Sequence, residues 1–230
     1  QMCIRDSGIT DQDNIKVNIA KDIPFLPEKY DVVLHAAGRA HVYPKSQDEI
    51  KAFYDVNYEG TVNLCKALEK GGLPKSFIFI STLDVYGLAV GLNINEDSPK
   101  NPSSHYAISK LQAEEFLIKW AEEKGVILGI LRPSLMIGPN PPGNLKSMIN
   151  GIKKGYYVNI AGGKTRKSLM MIYDIANLVP KIENVGGIYN VCDNRHPSYE
   201  ELSFCISKQL GKNHNPLSIP CLLYTSPSPR

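Results

Sequence analysis

Short apolar runs alternate with amphipathic stretches along most of this chain from Asp31 onward. The runs 31–35 (DVVLH), 76–81 (SFIFIS) and 126–132 (VILGILR) have the length and composition of buried strands. The first two are each followed by a stretch with helical periodicity. This alternation predicts βαβ units, and therefore an α/β fold built on a parallel sheet.

Capping residues and glycines predict where the helices begin and end. Ser46 and Glu49 form a capping box that predicts the start of one helix, which runs to Gly71. Apolar spacing over 106–124 predicts a second helix that ends at Gly125. Further elements are predicted at 144–154 (helix), 187–192 (strand) and, after a second capping box at Ser198 and Glu201, in a last helix that ends near Gly211.

The composition of the sequence changes after Pro133, where proline, glycine and asparagine become frequent. We therefore expect two parts, a sheet domain over 8–138 and a smaller lobe over 139–216. The ends, 1–7 (QMCIRDS) and 217–230, carry no clear helical or strand period and resemble non-native read-through. We expect them to lie outside the fold.

Composition excludes several classes of function. The 26 basic and 23 acidic residues are mixed along the chain, with no basic block that would indicate nucleic acid. No stretch approaches the roughly 20 apolar residues of a membrane span, and no secretory signal is present. We therefore expect no nucleic-acid partner, no membrane, and a cytoplasmic location. The cysteines are odd in number and widely spaced, which predicts neither a disulfide framework nor a metal site: Cys3, Cys65, Cys192, Cys205 and Cys221.

Tyr106 and Lys110 stand four residues apart on a predicted helix, so they share a face about one turn from each other. A nearby ammonium favours the phenolate, so we expect Lys110, with a nicotinamide cation, to lower the pKa of Tyr106 towards the range of a useful base. Thr82 directly follows the strand 76–81, where its hydroxyl reaches the ligand-binding edge of a parallel sheet. Each feature alone is common by chance or is ordinary turn chemistry.

The order of motifs is more specific than any one of them. The chain reads HAAG at 35–38, Asn57, STLDVYG at 81–87, YAISK at 106–110 and RPSLMIGP at 132–139. Over Ile15 to Lys212 it resembles the extended short-chain dehydrogenase/reductases, and specifically the NAD-dependent epimerase/dehydratase family. The resemblance implies a Rossmann-like doubly wound parallel sheet, NAD or NADP as cofactor, a nucleotide-diphosphate sugar as substrate, a homodimer, and a small C-terminal substrate lobe.

The resemblance also implies roles for individual residues. Thr82, Tyr106 and Lys110 match the family's catalytic residues, with Tyr106 as the general acid/base. The residues that match cofactor-binding positions are His35, Ala36, Ala37, Gly38, Asn57, Ser81, Tyr106, Lys110, Pro133 and, more weakly, Asn18 and Ile19, where the family often has Asp-Ile. The residues that match substrate-binding positions are Thr82, Asp84, Asn144, and Arg166 or Lys167 as a diphosphate clamp. Ordinary packing, an N-cap at Asn144 and a solvated basic turn are the alternatives for these positions.

One part of the family pattern has no counterpart here. The glycine-rich GxxGxxG turn, with its strand and helix, would lie upstream of Ile15 and is not found. The chain therefore resembles a family member without its first βαβ unit, truncated at the N-terminus. On this basis we expect weak or absent binding of the cofactor.

The residues after Thr82 bear on the type of reaction. The family's 4,6-dehydratases typically have Asp-Glu there, whereas this chain has Leu83 and Asp84. Loss of the acid at Leu83 disfavours dehydration. A C4 epimerase acting through a transient 4-keto sugar is our preferred prediction, and a 4-keto sugar reductase is the alternative. A sensor that binds dinucleotide without catalysis is a third possibility, which the retention of Thr82, Tyr106 and Lys110 disfavours.

Overall fold

The computed structural model describes residues 4–5, 15–40, 42–141, 143–212 and 216–220. The chain divides into two compact units, the first made of Gln1–Ser134 and Asp174–Val191 and the second of Leu135–Tyr173 and Cys192–Arg230. The prediction of one continuous lobe over 139–216 differs from this division. Residues 174–191 return to the first unit because they supply its edge strand. Most of the predicted non-native ends, 1–7 and 217–230, lies outside the described residues.

The secondary structure follows the predicted alternation. The strands are β1 (Ile4–Arg5), β2 (Ile15–Lys16), β3 (Val32–His35), β4 (Ser76–Ile80), β5 (Ile127–Pro133), β6 (Leu135–Ile137), β7 (Asn159–Ile160), β8 (Leu169–Met171), β9 (Gly187–Val191) and β10 (Ser218–Ile219). The α-helices are α1 (Gln47–Tyr54), α2 (Gly60–Gly71), α3 (His105–Lys124), α4 (Gly143–Lys154), α5 (Ile172–Ile182) and α6 (Tyr199–Gln209). A π-helical segment (Asp55–Glu59) and two 3₁₀ segments (Leu83–Tyr86 and Ala161–Gly163) complete the list.

The first unit is built on a four-stranded sheet with the order β3-β4-β5-β9. All neighbouring strands in it are parallel. Every residue of β4 is buried, as expected for a central strand that is covered on both faces. The three apolar runs and the 187–192 segment therefore all form strands of one sheet, in agreement with the predicted α/β class. Strands β1 and β2 form a separate parallel pair.

A single helix was predicted between Ser46 and Gly71, but the structure divides it. The Ser46 hydroxyl accepts a hydrogen bond from the Glu49 amide at 3.2 Å and starts α1 as predicted. The backbone then widens into the π-helical segment before α2 continues. Such segments insert a residue into a helix and often occur at functional sites. This one contains Asn57.

The core of the first unit lies between the sheet and the helices α2 and α3. Phe77 of β4 packs edge-on against Trp120 of α3, with ring centroids 5.7 Å apart. Burial of such aromatic and aliphatic side chains holds α3 in register on the sheet. Other members of this core are Leu64, Leu68, Phe79, Ala113, Leu117 and Ile130.

The second unit contains two short parallel strand pairs, β6 with β8 and β7 with β10. Its core is formed by Leu145, Met148 and Ile152 of α4, packed against residues of α6. The Ser198 capping box is complete, since its hydroxyl and the Glu201 carboxylate each accept a backbone amide. Helix α5 was not predicted from the sequence. Within the described ranges, no helix has both the length and the apolar content needed to cross a membrane.

Candidate active site

The candidate residues of the first unit gather where three parallel strands end. His35 ends β3 and residues 36–38 follow it, Ser81 and Thr82 follow β4, and Pro133 ends β5. Because the strands are parallel and adjacent, their carboxyl ends share one edge of the sheet. In open α/β sheets this is the edge at which ligands bind. Helix α3 contributes its first turns to the same region.

The Thr82 hydroxyl lies close enough to the Tyr106 phenol to act on its pKa as a hydrogen-bonding neighbour. Thr82 has an extended backbone and caps the 3₁₀ segment, where its hydroxyl accepts the Asp84 amide at 3.2 Å. Tyr106 lies in the first turn of α3, which begins after the N-cap Ser104. Two capped turns therefore fix the two hydroxyl groups next to each other.

Burial controls the acidity of Tyr106. Loss of solvent raises the pKa of its phenol to about 12, while the Thr82 hydrogen bond acts to lower it and the negative charge of Asp84 acts to raise it. The expectation of a lowered pKa included the positive charge of a nicotinamide, and without that charge the pKa of the phenol lies above its ordinary value. The desolvation of the phenol outweighs the neighbouring groups that favour the phenolate.

Lys110 lies one helical turn after Tyr106 and is 4% exposed. Its ammonium donates to the carbonyl oxygen of Ile80 at 3.0 Å and lies 4.6 Å from the centre of the Phe79 ring. Both partners belong to β4. The last two residues of the central strand therefore hold the ammonium at the edge of the sheet. Ser81 comes directly after them in the sequence.

The segment after β3 passes very close to this ammonium. A Cβ atom added at Gly38 would lie 2.9 Å from the Lys110 Nζ and 3.0 Å from the Asn57 Oδ1. Only glycine leaves room at this position. The hydroxyl oxygens of Ser81 and Ser134, at the ends of β4 and β5, are buried and have no hydrogen-bond partner among the described residues. The close approach of the Gly38 backbone and the two unpaired hydroxyl groups are suited to a bound ligand that has hydrogen-bonding groups, such as the predicted dinucleotide.

Asn57 connects this segment to the helix of Tyr106. Its side-chain oxygen accepts the Arg39 amide at 2.7 Å, and its nitrogen donates to the Arg39 carbonyl at 3.2 Å and to the Ser109 hydroxyl at 2.9 Å. Ser109 in turn donates to the Tyr106 carbonyl at 2.8 Å. The buried amide therefore holds the β3 end and α3 together. A contact of Asn57 with the cofactor stays a prediction.

His35 has a buried side chain that faces α2. Its Nε2 lies 2.9 Å from the Thr61 hydroxyl oxygen, and that hydroxyl already donates to the Asn57 carbonyl. The imidazole Nε2 must therefore carry the proton and donate. Burial, assisted by the positive charge of Lys110, lowers the pKa of His35 to about 3, so the ring is neutral. Ala36 is exposed, and Ala37 and Gly38 are half-buried.

Asn18 and Ile19 lie in the turn after β2. The Asn18 side chain accepts the Ala20 amide at 3.1 Å, and the Ile19 side chain is buried against Gly60 of α2. The Ile19 carbonyl accepts a hydrogen bond from Asn63 at 2.9 Å. In this structure both residues support the turn and the core. The adenine contact suggested for them stays a prediction.

The remaining substrate candidates differ in their surroundings. Asp84 is exposed and follows Thr82. Asn144 is an exposed residue in the first turn of α4, which begins at Gly143, one residue earlier than predicted. In the second unit Arg166 donates to the His196 carbonyl at 2.8 Å and pairs with Glu201 at 3.3 Å. Lys167, its neighbour, is exposed.

A buried polar cluster that was not predicted from the sequence lies beside this site. Arg132 and Glu114 form an ion pair at 2.6 Å with side chains 0% and 1% exposed. A signal for it was available, since Glu114 stands four residues after Lys110 on the same helix face as Tyr106. A charged residue on a buried face requires an opposite charge nearby.

Comparison with known proteins places this geometry in context. A family model described as the NAD dependent epimerase/dehydratase family matches residues 7–192. The chain is 32% identical over 195 residues to the N-acetyl-alpha-D-glucosaminyl-diphospho-ditrans,octacis-undecaprenol 4-epimerase of Escherichia coli O157:H7, covering 82% of this chain and 57% of that protein. It is 29% identical over 189 residues to the GDP-6-deoxy-D-mannose reductase of Pseudomonas aeruginosa, covering 76% and 62%.

A solved structure described as RMD from Pseudomonas aeruginosa, complexed with NADPH, superposes with a TM-score of 0.72 at 27% identity, covering 85% of this chain and 71% of that one. These matches confirm the resemblance predicted from the motif order and the Rossmann-like α/β fold. The family is NAD-dependent and the similar structure contains NADPH, which confirms the predicted cofactor class. The chain spans 57% and 62% of the length of the two curated relatives.

Proposed function

Because the chain belongs to the NAD dependent epimerase/dehydratase family, we propose that it is an NAD- or NADP-dependent 4-epimerase of a diphosphate-linked sugar. The observation that carries this proposal is the proximity of the Thr82 hydroxyl to the Tyr106 phenol, with Lys110 one turn further along α3. The reaction passes through a transient 4-keto sugar. Retention of all three side chains in one place favours catalysis over a sensor that only binds dinucleotide.

The roles of the residues follow from their positions. Thr82 orients the C4 hydroxyl of the sugar, and the Tyr106 phenol oxygen takes its proton and later returns it. When bound, an oxidised nicotinamide supplies a hydride acceptor at C4 and a positive charge that favours the phenolate. The ribose and the nicotinamide ring of the cofactor would be held at the edge of the sheet that is lined by Gly38, Ser81, Lys110 and Pro133. After the 4-keto sugar has rotated, the hydride would return from the reduced nicotinamide to the other face of C4, and the Tyr106 phenol would give the proton back to the C4 oxygen.

Dehydration is disfavoured by the residues after Thr82. Leu83 offers no acid for a departing C6 hydroxyl, and Asp84 is exposed with its amide engaged by Thr82. Net reduction of a 4-keto sugar is the second candidate. It is favoured by the pKa of about 12 for Tyr106, because a neutral phenol is ready to donate a proton to a keto oxygen. The similar GDP-6-deoxy-D-mannose reductase supports the same alternative.

The names of the two relatives share one substrate feature, a sugar joined to a diphosphate. One carries it on a polyprenol and the other on a nucleoside. We propose a nucleotide-diphosphate sugar for this chain, with Asn144 in the first turn of α4 and Lys167 as groups that meet the diphosphate. Lys167 is preferred to Arg166 because the Arg166 guanidinium is already engaged by Glu201.

We also propose a homodimer and a cytoplasmic location. The helices expected to form the dimer interface are α1, α2 and α3. Tyr58, in the π-helical segment, and Phe116 on α3 pack edge-on with ring centroids 6.3 Å apart. Together with Gln112, Glu115 and Lys119 they line an open cavity of about 320 Å³.

The reaction type is tested by following sugar diphosphates by NMR. The protein is incubated with UDP-, GDP- and dTDP-hexoses and with NAD or NADP, in the presence and absence of NADPH. Stereochemical exchange at C4 without net consumption of cofactor supports the epimerase. Conversion of 4-keto sugars only at the expense of NADPH establishes the reductase instead. A lack of turnover with every sugar, together with tight binding of the dinucleotide, would contradict both activities and favour a sensor.

A further inference from the structure

The buried guanidinium of Arg132 contacts three separate segments of the first unit. It makes two hydrogen bonds to the Glu114 carboxylate, at 2.6 and 3.1 Å, one to the Tyr86 hydroxyl at 2.7 Å, and one to the Glu96 carbonyl at 3.2 Å. Glu114 lies on α3, two turns after Tyr106. Tyr86 ends the 3₁₀ segment that Thr82 caps. Glu96 lies in the 87–104 loop between the two.

A second set of hydrogen bonds extends this cluster to β9. The Tyr86 hydroxyl donates to the Asn190 side-chain oxygen at 2.7 Å. The Asn190 amide donates to the Glu96 carboxylate at 2.7 Å, and its side chain donates to the Ile94 carbonyl at 3.2 Å. Residues 94 and 96 of the 87–104 loop are therefore hydrogen-bonded to Asn190 of β9, which also accepts the hydrogen bond of the Tyr86 hydroxyl.

The chemistry of the cluster does not suit a purely packing role. Burial of a guanidinium and a carboxylate is costly, and an apolar pair of similar volume often stabilises a core as well or better. The planar guanidinium instead offers donors in a fixed fork, which sets the positions of several acceptors at once. Here two of the acceptors, Tyr86 and Glu96, lie between Thr82 and Tyr106 in the sequence. The third, Glu114, follows Tyr106 on α3.

We propose that Arg132 is a positioning residue that sets the Thr82–Tyr106 geometry by fixing Tyr86, Glu114 and the 87–104 loop on one guanidinium. Its contact with Tyr86 fixes the turn that carries Thr82, and its contact with Glu114 fixes the rotation of α3 and so the direction of Tyr106. The inference rests on the proposed function for its catalytic readout. The geometry itself can be tested without turnover.

Two variants remove some of the hydrogen bonds of the cluster and keep side chains of similar size in place. Tyr86→Phe removes one hydroxyl, and Arg132→Lys keeps the charge but loses the fork. Ile130→Val is the matched control, because Ile130 is a buried residue of β5 two positions from Arg132 that belongs to the apolar core. In a protein with turnover, we expect both cluster variants to lose about tenfold to a hundredfold in kcat, as for misplaced reacting groups. The KM for cofactor stays near that of the wild type.

The decisive readout is the ¹³Cζ NMR signal of Tyr106 in protein labelled in its tyrosine rings, assigned by its absence from the Tyr106→Phe protein. This signal reports hydrogen bonding of the phenol at neutral pH, where Thr82 is its hydrogen-bonding neighbour. We expect the signal to move in the Tyr86→Phe and Arg132→Lys proteins and to keep its position in Ile130→Val. Hydrogen exchange of the Asn190 amide should also accelerate in Arg132→Lys.

An unchanged Tyr106 signal in both cluster variants would overturn the proposal and leave Arg132 a structural residue. If Arg132→Lys does not fold, Tyr86→Phe alone decides, since it removes only a hydroxyl group. The NMR measurement needs no substrate. If no sugar is turned over, the proposed function fails while the Tyr106 signal still tests the positioning role.

Discussion

His35 shows how one buried residue makes the stability of the fold depend on pH. In the folded protein its pKa is lowered from 6.5 to about 3, chiefly by burial. Below pH 6.5 the unfolded chain takes up a proton that the folded chain refuses, so the free energy of unfolding falls as the pH falls towards 3. Above pH 6.5 the imidazole is neutral in both the folded and the unfolded chain, so none of this stability is lost.

The expected loss from this single group approaches about 1.4 kcal/mol per pH unit between pH 6.5 and 3. His35→Gln, which keeps a donor for Thr61, should flatten the fall in the free energy of unfolding measured by urea titration at pH 7, 5.5 and 4. The exposed residue His196 provides the control His196→Gln. A wild-type slope that persists in His35→Gln would show that the imidazole is not held neutral.

The candidate catalytic residues illustrate what could be predicted from local sequence patterns. The four-residue spacing of Tyr106 and Lys110 and the strand-end position of Thr82 are local patterns, and the sequence identified them. The direction of the Tyr106 pKa could not be predicted, because it depends on how completely α3 and the sheet exclude water from the phenol. That burial is a product of tertiary packing.

At the scale of elements, the 87–104 loop depends on one close backbone approach. Gly87 has φ +68, and a Cβ there would lie 1.8 Å from the Asn101 carbonyl oxygen. The loop can close only if this position has no side chain. Gly125 has nearly the same backbone, with φ +66, and open space around the position of a Cβ. The two glycines therefore separate backbone strain from steric overlap.

We expect Gly125→Ala to lower the free energy of unfolding by about 1 kcal/mol, the cost of a left-handed alanine. Gly87→Ala should lower it by about 3 kcal/mol or more, because the overlap with Asn101 cannot be relieved by a flexible side chain. Chemical denaturation of both variants measures the difference. Equal losses would show that Gly87 and Asn101 are not in contact in solution.

The elements themselves were largely predictable, and the exceptions have physical reasons. Caps at Ser46 and Ser198 and the apolar runs located the four strands of the main sheet and the α-helices other than α5, since these signals act over a few residues. The remaining strands are only two or three residues long and were not predicted. The π-helical turn at Asn57 was not predicted, because one inserted residue barely alters the apolar pattern around it. The Arg132 cluster was not predicted because its members come from five segments that are separate in the sequence.

At the scale of the whole molecule, the chain leaves the first unit and returns to it. Strand β9 was predicted as a strand, but its pairing with β5 joins residues about sixty positions apart in the sequence. No local pattern specifies such a partner. The predicted continuous second lobe differs from the observed division for that reason, although the change in composition after Pro133 lies close to the first boundary.

In the proposed reaction, Tyr106 handles the proton at C4 of the sugar. The most direct measurement is the rate of C4 conversion by wild type, Tyr106→Phe and Tyr54→Phe at saturating cofactor and sugar. Tyr54 is a suitable control because its hydroxyl bonds to His105 at 3.0 Å, beside the same helix start. We predict a loss of about 10²- to 10⁴-fold for Tyr106→Phe with an intact fold, and a rate close to wild type for Tyr54→Phe. A Tyr106→Phe protein that turns over at the wild-type rate would contradict the account.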